Sequence, residues 1–182
     1  MANLVFSRED ETITLVDGEG NVLDSWDAGN NASDPNGNPC EQGSNGPAPN
    51  GNWNIDWGVQ PRSGDAYGGE NEEFIPIGDY GEDGCQHLDA AAEREIGIHG
   101  GRENYESETN GCIRMNDDDI DELEDYFNEL ESSGDPIDSI TIQDEAFDAG
   151  DEGPGGGVED PPLPPDDGGG SVPNPGDGSC ED

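Results

Sequence analysis

Short apolar segments with alternating or β-branched residues recur along the chain and predict a mainly β domain. Thr12-Ile13-Thr14-Leu15-Val16 is β-branched and partly alternating, and Asp17-Gly18-Glu19-Gly20 supplies a hairpin turn after it. Residues 30–52 are rich in Asn, Gly and Pro and predict a long loop, and residues 64–73 predict an acidic loop. The predicted strands are Leu4–Ser7, Glu11–Val16, Asn21–Asp27, Trp53–Trp57, Phe74–Tyr80, Glu95–His99 and Ser139–Gln143.

One segment has the periodicity of a helix instead. Between positions 120 and 130, apolar residues recur at i, i+3, i+7 and i+10, which predicts a single core-facing stripe. Asn116 is a favourable N-cap residue, and aspartates 117–119 fill the first turn, where the helix dipole favours anions. Met115 and Ile120 fit a hydrophobic staple, and the Gly-Asp-Pro sequence from Gly134 ends the helix.

The charge of the chain changes the interpretation of its low hydrophobicity. The 182 residues include 46 Asp and Glu but only 5 Lys and Arg, so the net charge is −41, and 28% of residues are hydrophobic. Such a composition is often disordered, but three tryptophans and the strand patterns favour a folded domain. At about 1 M salt the Debye length is roughly 3 Å, so adaptation to molar salt explains the charge. The same charge argues against nucleic acids and anionic membrane surfaces as partners.

The domain is predicted to span residues 1–147. Residues 148–182 are Gly, Pro and acidic residues with almost nothing to bury, which predicts a disordered tail or linker. No segment is apolar enough to span a membrane, and the N-terminus lacks the features of a signal peptide. The four cysteines are too few for a disulfide scaffold, although a single Cys40–Cys85 bridge is left open.

One stretch before the helix carries the candidate chemistry. A cysteine nucleophile needs a nearby base, and for Cys112 the candidate is His99, at the end of a predicted strand. Gly111 allows a tight turn and can aim the amides of Gly111 and Cys112 at a developing oxyanion. Arg114 lies two residues after the cysteine, on the same side in extended geometry, and can pair with a substrate carboxylate.

Other interpretations of these residues remain open. Cys112 can be an inert buried thiol, because cysteine is among the most buried residue types. Cys85 and His87 can form a metal site with His99 and Cys112, but the spacing matches no standard zinc pattern, so neither a metal nor a cofactor is expected. Arg114 can simply bridge to the acidic surface.

The order of these residues resembles the YkuD family of L,D-transpeptidases. Its signature is His-Gly at a strand end and, after a loop, Ser/Thr-x-Gly-Cys-Ile/Val-Arg before an acidic helix start. The matching residues are His99-Gly100 and Thr109-Asn110-Gly111-Cys112-Ile113-Arg114. The Pro-x-Gly-x-aromatic string at 49–53 is also similar to the family's turn before a core strand. The position before Gly-Cys is often His in the family and is Asn110 here, and the resemblance covers roughly residues 3 to 145.

The resemblance implies a β-sandwich with one helix after the catalytic cysteine, and transfer of a peptidoglycan stem peptide. Cys112 is then the nucleophile and His99 the general base, while Gly111 and Cys112 supply oxyanion amides. The acyl-enzyme passes to an amine, which cross-links, or to water, as in a carboxypeptidase. The residues implied to bind or orient substrate are Arg114, Asn110, Thr109 and Gly100.

The expected partner is peptidoglycan or a related peptide, and the expected place of action is outside the cytoplasm in a halophilic environment. The protein is then part of the cell envelope, secreted or particle-borne. The alternative is a non-enzymatic structural or binding component of a virus particle or injection device that retains the fold. In that case residues 148–182 can contact a particle or secretion-system partner.

Overall fold

The structure is a computed structural model that describes residues 1–41, 44–55, 58–64, 69–78, 80–82, 96–101 and 104–148. The predicted tail after residue 148 lies outside the described residues, as do Trp57, Cys85 and His87.

Ten strands and one helix form within the described residues. The strands are β1 (Ala2–Ser7), β2 (Thr12–Val16), β3 (Val22–Gly29), β4 (Gly51–Asn54), β5 (Gln60–Gly64), β6 (Gly69–Pro76), β7 (Tyr80–Glu82), β8 (Gly97–His99), β9 (Ile113–Met115) and β10 (Ile137–Gln143), and the helix is α1 (Asp117–Ser133). The prediction of a mainly β fold with one helix after Cys112 is confirmed.

The strands join in the order β5-β6-β8-β9-β3-β2-β1-β10-β4-β7. The pairs β1–β10 and β8–β9 are parallel, and the other pairs are antiparallel. A sheet of this many strands curls around its own core rather than staying flat. The parallel pair β8–β9 is the one that positions the candidate chemistry.

The prediction of an acidic loop over residues 64–73 is wrong for residues 69–73, which belong to β6. β6 begins at Gly69 and pairs antiparallel with β5, with Gln60 opposite Phe74 and Arg62 opposite Glu72. This hairpin has few apolar residues before Phe74, so its backbone pairing leaves no hydrophobic pattern in the sequence. The strand predicted over Phe74–Tyr80 is likewise divided, because β6 ends at Pro76.

The helix packs as its periodicity predicts. Ile120, Leu123 and Phe127 are buried, and Leu130 packs partly buried against the same core. Asn116 occupies the N-cap position, but its side chain makes no capping bond and instead donates to Asp119 at 2.7 Å. Gly134 ends the helix in the left-handed conformation, with φ 85°. No helix within the described ranges is long and apolar enough to cross a membrane.

Candidate active site

The register of β8 and β9 brings the two candidate catalytic residues together. Ile98 lies opposite Ile113, and His99 lies opposite Arg114. Paired residues of parallel strands share a face of the sheet, and residues two apart on one strand share it as well. Cys112 directly precedes β9, two residues before Arg114, and neighbouring strands lie about 4.8 Å apart. The register therefore places the backbone of Cys112 diagonally across from His99.

The imidazole of His99 is held in one orientation. Its Nδ1 lies 2.6 Å from the carbonyl oxygen of Gly100, and the residue is 3% exposed. Because a carbonyl can only accept, Nδ1 carries a proton, and in the neutral form of the imidazole the lone pair therefore lies on Nε2. The ring of Phe74, opposite His99 across β6 and β8, stacks on it at 6.2 Å between centroids and 28° between planes. A neutral imidazole with Nε2 as acceptor is the form that a general base requires.

The turn before Cys112 is closed by a hydroxyl and a glycine. Gly111 has φ 114°, a conformation that side chains other than hydrogen rarely adopt. The buried hydroxyl of Thr109 donates to the carbonyl oxygen of Cys112 at 2.9 Å. Cys112 itself is half-buried and carries a thiol that is not part of a disulfide.

The Gly111 amide has a partner inside the turn. Its N–H donates to the Thr109 hydroxyl at 3.2 Å, so in this conformation it is not directed at a substrate. The oxyanion role predicted for Gly111 stays a prediction, and the Cys112 N–H is the other amide that the sequence proposed for it.

Arg114 is turned into the protein rather than toward a groove. It is 2% exposed, and its Nη1 donates to the carbonyl oxygen of Gly101 at 2.7 Å. The contact with a substrate carboxylate and the ion pair with the acidic surface, the two tasks suggested by the sequence, stay predictions. The hydrogen bond to Gly101 ties the segment after His99 to β9.

The glycines after His99 pack against the start of α1. The N–H of Gly101 donates to the Oδ1 of Asp117, and a Cβ placed on Gly100 would lie 2.5 Å from the same oxygen and 3.1 Å from Ile120. Gly100 is buried and packs against α1, and the substrate contact predicted for it stays a prediction. Asn110 is exposed, and its side-chain oxygen accepts from the hydroxyl of Ser33 at 3.1 Å.

Three residues around the site were not singled out by the sequence. Phe74 reads only as a strand residue, Asp117 only as a helix-dipole partner, and Asn30 only as the start of a loop. Asn30 contacts the backbone on both sides of Cys112. These roles depend on tertiary contacts, which local sequence patterns do not predict.

A cavity of about 740 Å³ adjoins this region, with Asn30 in its wall. Its other walls come from the loop after β3, the segment before β4, Glu106, Glu108 and the Arg8–Asp144 pair, and they do not include His99 or Cys112. No group of three or more His, Cys, Asp or Glu suited to a metal ion occurs in the part of the chain that the structure describes. The alternative metal site with Cys85 and His87 falls outside that part.

Comparison with known proteins identifies the family. The sequence model of the YkuD family, the L,D-transpeptidase catalytic domain, matches residues 4–138. No curated protein matches the chain. Among solved structures, Bd1075 of Bdellovibrio bacteriovorus has a TM-score of 0.51 at 15% identity, over 80% of this chain and 49% of that chain. An L,D-transpeptidase of Xylanimonas cellulosilytica has a TM-score of 0.46 at 13% identity, over 78% of this chain and 60% of that one. An L,D-transpeptidase of Mycobacterium smegmatis has a TM-score of 0.45 at 15% identity, over 78% of this chain and 58% of that one.

The described strands and helix form a mainly β domain with His99 at the end of β8 and Cys112 directly before β9. The chain belongs to the YkuD family of L,D-transpeptidase catalytic domains, since the family match covers most of its length. The predicted family is confirmed, and with it, at the level of the family, the predicted L,D-transpeptidase-like enzyme. At 15% identity and a TM-score of 0.51, Bd1075 bears on the fold alone. The chain spans about half to three-fifths of the length of the solved structures it matches.

Proposed function

We propose that this domain catalyses cysteine-dependent acyl transfer on peptidoglycan stem peptides. The observation that carries the proposal is the placement of His99 at the end of β8 and of Cys112 directly before the adjacent parallel strand β9, with the Nδ1 proton of His99 directed at the Gly100 carbonyl. The family match over residues 4–138 supports the reaction class.

In the proposed reaction, Nε2 of His99 takes the Cys112 proton, and the thiolate attacks the carbonyl carbon of the residue before the terminal D-amino acid. The resulting oxyanion is stabilised by backbone N–H groups of the turn, with the Cys112 amide as principal donor. The protonated imidazole then gives its proton to the leaving amine, and a thioester remains on Cys112. An amine or water takes the acyl group, which gives cross-linking or carboxypeptidase activity.

We also propose that the domain acts outside the cytoplasm. Its proposed substrate is a cell-wall peptide, and Cys40 is disulfide-bonded, a state typical of oxidising compartments. Purification under reducing and oxidising conditions, with mass spectrometry of the Cys40 peptide, tests whether the bond forms in the native protein.

The test of the function is turnover of a stem tetrapeptide by Cys112→Ala in molar salt. Turnover should fall by at least about 10³-fold, because the covalent route is lost while binding remains. The wild type should show a mass increase of one acyl group on the Cys112 peptide. Unchanged turnover in Cys112→Ala would overturn the proposal, and a wild type that never acquires the acyl group would favour the alternative of a binding module that retains the fold.

A further inference from the structure

The side chain of Asn30 holds the backbone on both sides of the nucleophile. Asn30 follows β3, which pairs with β9 through Ala28 opposite Met115 and Gly29 opposite Arg114. Its Nδ2 donates to the carbonyl oxygen of Gly111 at 2.8 Å and to that of Cys112 at 2.9 Å. Two consecutive carbonyl groups of the turn therefore share one amide.

The third contact of Asn30 fixes which way its amide faces. Its Oδ1 accepts from the N–H of Ala48 at 2.8 Å. In the reverse orientation, oxygen would face two carbonyl oxygens and NH₂ would face an N–H, so all three contacts fit one assignment only. An asparagine meets these demands with a single side chain, whereas an aspartate would lose both donors.

The two carbonyl contacts have a consequence on the other side of the peptide group. The described peptide bonds include no cis bond, and a trans peptide is planar with its C=O and N–H pointing in opposite directions. When Asn30 holds the Gly111 carbonyl, it also sets the direction of the Cys112 N–H, which points away from Asn30. The Gly111 N–H donates to Thr109, and the Cys112 N–H is the other amide proposed for the oxyanion, so its direction matters for that role.

We propose that Asn30 is a positioning residue that orients the Cys112 N–H toward the oxyanion formed during acyl transfer. It acts through the peptide plane and touches neither substrate nor thiol. The inference rests on the proposed acyl-transfer chemistry and names a residue on which that chemistry depends.

The test compares two reactions of the same thiol in molar salt. p-Nitrophenyl acetate acylates Cys112: the sulfur–acyl bond forms, p-nitrophenolate leaves, and an oxyanion develops on the way. Iodoacetamide alkylates Cys112 with loss of iodide and develops no oxyanion. In Asn30→Asp and Asn30→Ala, acylation should fall by about 10- to 10²-fold, approaching the cost of losing one oxyanion donor. Alkylation should change by less than about threefold. Rates are followed by mass spectrometry of the Cys112 peptide.

Asn31→Ala is the matched control. Asn31 is the next residue, lines the same cavity, and its side chain donates to the carbonyl oxygen of Glu106, not to the cysteine turn. In Asn31→Ala, the rates of acylation and of alkylation of Cys112 should both stay within about twofold of the wild type. Asn30→Asp keeps the acceptor for Ala48, so a variant remains available if Asn30→Ala fails to fold.

Each other outcome has a distinct meaning. Equal loss of both rates in the Asn30 variants would show a purely structural role and overturn the inference. Unchanged acylation would overturn it too, as would a wild type that the ester acylates no faster than the unfolded chain. If the ester reaction behaves as expected but tetrapeptide turnover is absent, the proposed substrate is wrong and the role of Asn30 stands.

Discussion

At the scale of single residues, the geometry of the cysteine turn depends on the hydroxyl group of Thr109. That oxygen donates to the Cys112 carbonyl and accepts from the Gly111 N–H, while the Thr109 backbone bonds to Asn31 and Ser33. A residue that the sequence assigns to substrate binding is thus buried and joins the turn to the loop after β3. Its contribution to catalysis is expected to pass through the shape of the turn.

Thr109→Val tests this role, because valine has the shape of threonine without its hydroxyl. The free energy of unfolding should fall by about 1–2 kcal/mol, since the Gly111 N–H loses its partner while the Cys112 carbonyl keeps Asn30. Acylation of Cys112 should slow as well. Chemical denaturation in molar salt and the ester assay measure the two effects. Thr109→Ser keeps the hydroxyl and should retain both properties, and equal behaviour of the Val and Ser variants would contradict the proposed role.

The sequence predicts His99 and Cys112 as the candidate pair because both residues follow local rules: His99 ends an apolar strand, and a glycine precedes Cys112. It does not predict where Arg114 points. Extended geometry places Arg114 on the same face as the cysteine, but the carbonyl that receives it comes from Gly101, in another segment. Asn30 is harder still, since its contacts cross 81 and 82 positions of the chain. Local patterns carry no information about such contacts.

At the scale of elements, α1 is fastened to β3 by two matching hydrogen bonds. Trp26 of β3 donates to Glu122 of α1 at 3.0 Å, and Tyr126 of α1 donates to Asp24 of β3 at 3.0 Å. The two rings meet edge to face, with centroids 5.7 Å apart at 68°. The apolar stripe of α1 could be predicted from the spacing of its residues, but the two hydrogen bonds Trp26–Glu122 and Tyr126–Asp24, here called the polar seam, could not. Because α1 begins directly after β9, the seam also steadies the strand that carries the cysteine turn.

Tyr126→Phe removes one bond of this seam. The hydrogen bond to Asp24 is the main cause that raises the pKa of Tyr126 above its ordinary value of 10.0. A raised folded-state pKa stabilises the fold below the unfolded pKa, and this contribution is lost as the pH rises through the folded pKa. The wild type should therefore exceed the variant by up to about 1 kcal/mol at neutral pH, and the advantage should shrink in alkaline buffer.

The measurement is denaturation of both proteins at neutral and alkaline pH in the same molar salt. Glu122→Gln is a useful companion, since its amide oxygen can still accept from Trp26 while leaving Tyr126 intact. That variant should keep the alkaline loss of stability seen in the wild type. A difference between wild type and Tyr126→Phe that does not vary with pH would refute the linkage to the Asp24 contact.

At the scale of the whole molecule, the chain has far more carboxylates than cations to pair with them. Arg8 pairs with Asp144 at 2.6 Å. The hydrogen bond from Asn50 is the main cause that lowers the pKa of the Asp144 carboxyl, and the contact with Arg8 lowers it further. Other carboxylates accept from neutral donors, among them the bonds Asn21–Asp17, Asn116–Asp119, Trp26–Glu122 and Tyr126–Asp24. Hydrogen bonds from neutral donors are less sensitive to screening than exposed ion pairs. These contacts suit a protein that works where salt removes both attraction and repulsion between surface charges.

The excess of carboxylates over cations should make the stability of the fold depend on salt. With a net charge of −41, the fold should lose stability in dilute buffer through self-repulsion and regain it as salt is added. Since the Debye length falls from about 10 Å at 0.1 M to about 3 Å at 1 M, most of the gain in Tm from screening should come below about 1 M. KCl and KNO₃ should then act alike, and sucrose should not replace them. A gain that rises linearly to several molar and is larger for sulfate would instead indicate salt exclusion from the surface.

A charge variant separates screening from every other effect of salt. Asp121, Asp125 and Glu129 are exposed on α1, and Asp121→Asn, Asp125→Asn and Glu129→Gln together remove three charges with little change in shape. The triple variant should melt higher than the wild type at 0.1 M KCl, and the two melting temperatures should converge above 1 M. Equal melting of the two proteins at low salt would sink the halophilic interpretation of the charge, because repulsion among surface carboxylates would then not limit this fold.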